Sequence, residues 1–313
     1  MVTHHRSDTS ATVRALKGAA PYVRLFKGKV FVIKAGGAVF SDPVGTHSLI
    51  QQIGILHNLG IKVVLVHGGG PQLDQMQRSL GIEPRMVKGR RVTDARSIDV
   101  TTMVLNGLLN TRILAICRQL GVDAIGISGV DAGLIQARRR PPVEVDGEAV
   151  DYGFVGDIGG VDPSVVQRQL DAGLMPVVSP LSCDDDGCVL NINADTVAAR
   201  IGAALGAEKL ILCTGAPGVL EDVNDASTIV SYTDLEGLRR LERAGSLADG
   251  MLPKASAIET AIRGGVRRVH VISYKVADSV LAEVFTNEGS GTLIVEDVGA
   301  LTAAEQHPPG TGR

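Results

Sequence analysis

The sequence predicts an α/β protein built on a largely parallel, open central sheet. Two observations carry that prediction: short apolar runs stop abruptly at glycines, and amphipathic helical stretches alternate with those runs. The clearest run is Lys62-Val-Val-Leu-Val-His67, whose β-branched and leucine side chains suit a strand buried on both faces. It ends at Gly68-Gly69-Gly70, with Pro71 placed where a helix begins. Lys29-Val-Phe-Val-Ile33 is a second such strand, running into Lys34-Ala35-Gly36-Gly37. Between them, residues 46–59 read as an amphipathic helix that ends at Gly60, so strand, helix and strand form a βαβ unit.

Glycines after a buried strand let a ligand approach the backbone. Their N–H groups, beside a helix N-terminus, seat a phosphate or an oxyanion. The same residues also make a plain strand-to-helix turn. Ligands of open α/β sheets bind outside the carboxyl ends of the strands, where Lys34 would meet a phosphoryl group as a compact cation. Its bland alternative is a lysine snorkelling from an edge strand. Neither glycine turn carries the dinucleotide fingerprint, no Gly-Lys is followed by Ser or Thr, and the protein-kinase signatures are missing. Any phosphate binding here would use another architecture.

At 313 residues the chain suffices for one large domain or two lobes. A formal net charge of −3 argues against nucleic acid and anionic membranes as partners. Cys183 and Cys188 bracket an Asp-Asp-Asp-Gly stretch, but no second ligand pair with zinc spacing is near. The four cysteines read as reduced structural thiols, and no metal site is expected. No continuous apolar run approaches the ~20 residues of a membrane span, and the expected location is cytoplasmic.

Residues 1–12 read as a polar disordered tail, with an organellar-transit segment as the weaker alternative. Residues 13–27 place Val13, Leu16, Ala20 and Val23 at helical spacing, interrupted at Pro21, a helix free to serve as an oligomer contact. Pro71 to Leu80 is a helix closed by Gly81, and Thr93 or Asp94 caps a long helix over 95–119. Arg91, just ahead of it, offers a planar fork to a carboxylate or is simply a surface arginine. Further strands are expected at Met175–Ser179, Lys209–Cys213 and Arg268–Ile272, with Pro176 tolerable near a strand's start or on an edge. Helices are expected over 161–172, 195–205, 253–263 and 277–285. Arg138-Arg-Arg-Pro-Pro142 reads as a solvated loop, and 298–313 as a disordered tail.

Taken in order, the motifs resemble those of the amino acid kinase family. They are Lys-x-Gly-Gly at 34–37, His-Gly-Gly-Gly-Pro-Gln at 67–72 and Gly-x-Arg-Val-Thr-Asp at 89–94. Tyr-Gly-Phe-Val-Gly-Asp at 152–157 and Asn-Ile-Asn-Ala-Asp-Thr-Val at 191–197 follow. Pro-Gly-Val-Leu at 217–220, Asp-Gly-Met-Leu-Pro-Lys at 249–254 and the segment 285–294 complete a likeness over about residues 18–296. The resemblance implies a three-layer αβα sandwich in two lobes, an amino-acid lobe over 28–206 and a nucleotide lobe over 207–297. Within the family the chain is most similar to members that phosphorylate the side-chain carboxylate of N-acetyl-L-glutamate with ATP, in arginine biosynthesis. Two other readings remain: a kinase for an N-acylated aminoadipate in lysine biosynthesis, and a non-catalytic regulatory homologue.

By that resemblance Lys34 and Lys254 flank the transferring phosphoryl group and Asp195 orients them, although Asp195 also sits where a helix N-cap would. Gly36, Gly37, Gly68 and Gly69 would supply N–H groups, and Arg91 and Asn191 would hold the acetylated amino acid. Gly215, Pro217, Gly218, Val219, Leu220 and Gly250 would hold ATP, with Mg²⁺ arriving on the nucleotide. The N-terminal helix with Tyr22, and the tail with Glu288 and Gly291, resemble the parts of arginine-inhibited members that assemble dimers into hexamers and bind arginine. The chain departs from the usual family residues at Gly215 (usually Asp), at Ala38 (commonly Asn) and at Ser273-Tyr-Lys275 (usually Asp-Gly-Arg).

Overall fold

The computed structural model describes residues 6–247, 251–286 and 289–300. One eight-stranded sheet organises them. In chain order its strands are β1 (Val30–Ala35), β2 (Lys62–His67), β3 (Ala124–Ser128), β4 (Met175–Ser179), β5 (Lys209–Thr214), β6 (Tyr232–Asp234), β7 (Arg268–Ser273) and β8 (Thr292–Val295). Across the sheet they lie in the order β6-β8-β7-β5-β1-β2-β4-β3. Pairing is parallel from β7 to β3, whereas β8 runs antiparallel to β7 and carries β6 alongside in parallel. The sheet is continuous across the expected lobe boundary, because β1 and β5 pair along Phe31–Ala35.

Parallel strands need crossovers, and helices supply most of them. In chain order the helices are α1 (Arg6–Phe26), α2 (Pro43–Asn58), α3 (Gly70–Ser79), α4 (Ala95–Gln119), α5 (Pro163–Asp171), α6 (Ala194–Ala204), α7 (Leu235–Arg243), α8 (Leu252–Arg263) and α9 (Ser279–Phe285). Side chains alternate along each strand, so each strand feeds two cores. Phe31, Ile33 and Ala35 of β1 pack towards α2, α4 and α9, while Val32 packs towards α6 and α8. Complete burial of one such aliphatic side chain is worth roughly 1.5–3 kcal/mol. Pro176 sits near the start of β4, and pairing with β2 begins only at Val177.

Several boundaries differ from expectation. α1 begins at Arg6 rather than near residue 13, so most of the expected tail is helical, and the helix continues through Pro21. Extending an existing helix adds one hydrogen bond per residue, and before Pro21 only Gly18 weakens it. Downstream, Tyr22 and Phe26 stack at 6.4 Å and Phe26 meets Phe31 edge-on at 5.2 Å, anchoring the last turn. α4 is not uniform: Met103–Leu109 forms a π-helical segment. By length and mean hydropathy α4 is able to cross a membrane, yet its Leu109, Ile113 and Cys117 are packed in the core beside β2 and β4. α7 was not expected. Neither was a second, four-stranded sheet of Ile135–Arg139, Gly156–Val161, Leu181–Cys183 and Val189–Asn191.

Candidate active site

Four strand ends are level, and that registry builds the site. Opposite Lys34 and Ala35 of β1 stand Val66 and His67 of β2 on one side, and Leu212 and Cys213 of β5 on the other. Thr214 in turn faces Ser273 of β7. Gly36-Gly37, Gly68-Gly69, Thr214-Gly215 and Tyr274 therefore emerge along one edge, where a cavity of about 410 Å³ opens.

Lys34 is 7% exposed and points, by strand alternation, to the face covered by α6. Asp195 lies in the first turn of that helix, where Asn193 already caps the N–H groups of Asp195 and Thr196 at 2.9 and 3.1 Å. The expected cap role of Asp195 is thus corrected: its carboxylate is free of the helix and turns to the lysines. Lys34 Nζ lies 2.8 Å from its Oδ1 and Lys254 Nζ, in the first turn of α8, 3.6 Å from its Oδ2. Burial pushes the Asp195 carboxyl up, but the two ammonium groups together outweigh it and hold it below 3.8. Burial likewise pushes the Lys254 ammonium below 10.5, and Lys34 adds repulsion while Asp195 opposes both. Two cations on one buried carboxylate leave an excess positive charge facing the cavity.

The glycine turns meet face to face. A Cβ on Gly37 would lie 2.7 Å from the Gly70 nitrogen and 2.8 Å from Gly69 Cα, and one on Gly69 would strike Leu105 Cδ2 at 2.5 Å. Neither glycine has a positive φ, so close approach and not backbone conformation demands them. Gln72 fastens the pair, its Nε2 donating to Gly37 O at 2.8 Å and to Ser41 Oγ at 2.9 Å. Leu105, which floors the Gly69 turn, comes from the π-helical segment, a frequent mark of functional sites. His67 is wholly buried beneath, where desolvation lowers it to about 4 and keeps it neutral. Gly37→Ala is expected to lower turnover about 100-fold by displacing the turns on the order of 1 Å, as steady-state kinetics would show.

At the opposite end Arg91 lines the cavity, its Nη1 donating to Gln77 at 2.8 Å and its Nη2 to Asp74. The guanidinium is therefore fixed from behind and is not a loose surface group. Asn191 lines the same wall, its Nδ2 donating to Thr93 Oγ1 at 3.4 Å. The segment Tyr152–Phe154 joins these two: Thr93 N donates to Tyr152 O, Phe154 N donates to Thr93 O, and Asn191 N donates to Phe154 O. Gly153 is required there: its φ is +73° and a Cβ would lie 2.3 Å from Thr93 O.

Lys34, Gly37, Gly68, Gly69, Arg91, Asn191, Asp195, Gly215 and Lys254 thus share one cavity. Pro217, Gly218, Val219 and Leu220 do not line it. Val219 is buried in the core and donates its N–H to Thr292 Oγ1 at 2.8 Å, and Leu220 bridges to Ile229. Gly250 and Glu288 lie outside the described residues. Gly291 serves close packing, because a Cβ would come 2.1 Å from Val271 O. Gln72, Leu105, Asn193 and Tyr274 were missed; the Pro-Gln ending of the second glycine motif was the available signal for Gln72. Among the described residues no group of three His, Cys, Asp or Glu side chains is arranged to hold a metal.

Away from the cavity, Lys209 Nζ sits 3.0 Å from His270 Nε2, whose Nδ1 meets Glu283 at 2.6 Å. Burial holds His270 at about 4, neutral. Burial opposes ionisation of Glu283 as well, but its hydrogen bonds bring it to about 2. Lys209 also lies 5.2 Å over the Phe26 ring, so α1 ends against this relay.

The amino acid kinase family profile matches residues 29–273. The acetylglutamate kinase of Myxococcus xanthus is 48% identical over 289 residues, covering 90% of this chain and 94% of its own. The N-acetylglutamate synthase of Neisseria gonorrhoeae, complexed with coenzyme A and N-acetyl-glutamate, superposes with a TM-score of 0.80 at 28% identity. That match covers 94% of this chain and 67% of the synthase. The same synthase with coenzyme A and L-arginine gives a TM-score of 0.77 at 26% identity, covering 91% and 65%.

Proposed function

The chain belongs to the amino acid kinase family, and from that premise we propose that it transfers the γ-phosphoryl group of ATP to the side-chain carboxylate of N-acetyl-L-glutamate. The product is N-acetylglutamyl 5-phosphate, an intermediate of arginine biosynthesis. One observation carries the reading: Lys34 and Lys254 converge on Asp195 in the cavity that the paired glycine turns also line. Bringing a carboxylate to a triphosphate crowds negative oxygens, so catalysis is mostly positioning and charge neutralisation. The two ammonium groups flank the transferring group, and the turn N–H groups donate to it and to the acceptor. Arg91 and Asn191 hold the acceptor's far end. The acceptor is already ionised near neutral pH, so no base is needed.

Residues 28–206 carry the acceptor and residues 207–297 the donor, which enters as its Mg²⁺ complex. Mg²⁺ neutralises part of the triphosphate charge. An enzyme of this kind releases ADP with N-acetylglutamate far faster than with N-acetylaspartate or N-acetyl-aminoadipate. A coupled ADP assay over the three acids tests it, and preference for the longest acid would instead indicate the lysine-pathway reaction.

L-Arginine is the proposed effector, supported by the arginine complex of the structurally similar synthase. It acts where α1 meets α9: Tyr22 packs edge-on against Phe285 at 6.5 Å, beside the Lys209–His270–Glu283 relay. Val13 and Leu16 of α1, three residues apart on one helical face, are 44% and 67% exposed, an apolar surface suited to a second copy in a dimer or hexamer. Val13→Glu with Leu16→Glu is expected to sediment as a smaller species and to need about tenfold more arginine for half-inhibition. Unchanged assembly and inhibition would count against both roles.

A further inference from the structure

Two places where the chain departs from the usual family residues, Gly215 and Ser273-Tyr274-Lys275, lie against each other. Thr214 and Ser273 are register partners, and Tyr274 N donates to Thr214 O at 3.0 Å. A Cβ on Gly215 would stand 3.6 Å from the Tyr274 hydroxyl and 3.8 Å from Lys275 Cε. The room a side chain at 215 would use is therefore bordered by a phenol and a lysine stem. Tyr274 lines the catalytic cavity together with Gly215, and it also lines an adjoining cavity of about 370 Å³ whose wall includes Lys275.

Charge bookkeeping gives this lysine a purpose. Lys34 and Lys254 share one carboxylate, and Arg91 is matched by Asp74. One net positive charge then remains to face a triphosphate and an acceptor carboxylate. Lys275 is exposed, and Asp42, the carboxylate on its own cavity wall, is committed to the N–H groups of Val44 and Gly45.

We propose that Lys275, held beside the side-chain-free Gly215, contacts the phosphate chain of the donor nucleotide as a further cation at that end of the cleft, beside Lys34 and Lys254. The assignment rests on the ATP-dependent reaction proposed above. Lys275 adds binding strength for the donor and takes no part in fixing the acceptor.

Calorimetry with ADP and Mg²⁺, run on the full chain, tests this directly. Lys275→Ala is expected to weaken ADP about tenfold while N-acetylglutamate binding stays within about twofold, and Lys275→Arg restores most of the loss. The KM for ATP rises in parallel, and raising the salt concentration narrows the gap between wild type and Lys275→Ala. A Lys275→Ala protein that binds ADP as the wild type does overturns the assignment and leaves the proposed reaction standing. A wild-type protein that binds no ADP overturns both.

Discussion

Lys34→Ala and Lys254→Ala are each expected to lower kcat on the order of 100- to 1,000-fold, with far smaller changes in either KM. Both ammonium groups are largely withdrawn from water, with 8% and 19% of their side chains exposed, so their fields act through little screening. They oppose charge that is greatest as the phosphoryl group moves between oxygens, and a ground-state contact alone would raise KM instead. Proton titration supplies an independent check. Burial first, then Lys34, lowers Lys254 below 10.5. The cation is present below that lowered value and lost as pH rises through it. Wild-type kcat is therefore expected to fall on the alkaline side before an ordinary lysine would titrate, as a pH–rate profile would reveal.

Asp195→Ala is expected to damage both activity and folding. Its removal leaves two neighbouring cations in a buried site without their shared partner, a change of about 3–5 kcal/mol in stability. Thermal melting should drop accordingly, and turnover should fall with it because Lys34 loses its 2.8 Å anchor. Asp195→Asn keeps the shape but not the charge, and should recover part of the stability and little activity. The carboxyl titrates below 3.8 in the fold. Its stabilising contribution is thus complete above 3.8 and is lost as pH falls through the lowered value. A melting curve for Asp195→Ala equal to the wild type's would remove the basis for the paired-cation site.

The five central strands of the main sheet were legible because they are continuous apolar runs, whereas β3, β6 and β8 at its edges are too short or too mixed to show, and Lys34 could be placed at a strand end by position alone. Much of the site was not legible, for physical reasons. Asn191, Asn193 and Asp195 all suit a helix cap, and local sequence cannot say which side chain bonds the helix and which turns away. Short strands such as Leu181–Cys183 carry too few residues to show alternation, and the Leu235–Arg243 helix is mostly charged. Gly215 and Tyr274 are brought together only by the parallel pairing of β5 with β7. The Pro217–Leu220 turn is packed by Thr292, far along the chain, a contact no local pattern shows. Pairwise neighbours across a sheet are a product of topology, so single-chain patterns miss them.

The most direct measurement is hydroxylamine trapping of the product formed from ATP and N-acetylglutamate. An acyl phosphate reacts to give a hydroxamate, so the signal reports phosphorylation of the carboxylate itself. Steady hydroxamate formation by the wild type, lost in Lys254→Ala although that protein remains folded, is the expected result. A folded wild-type protein that yields no hydroxamate from N-acetylglutamate would contradict the account.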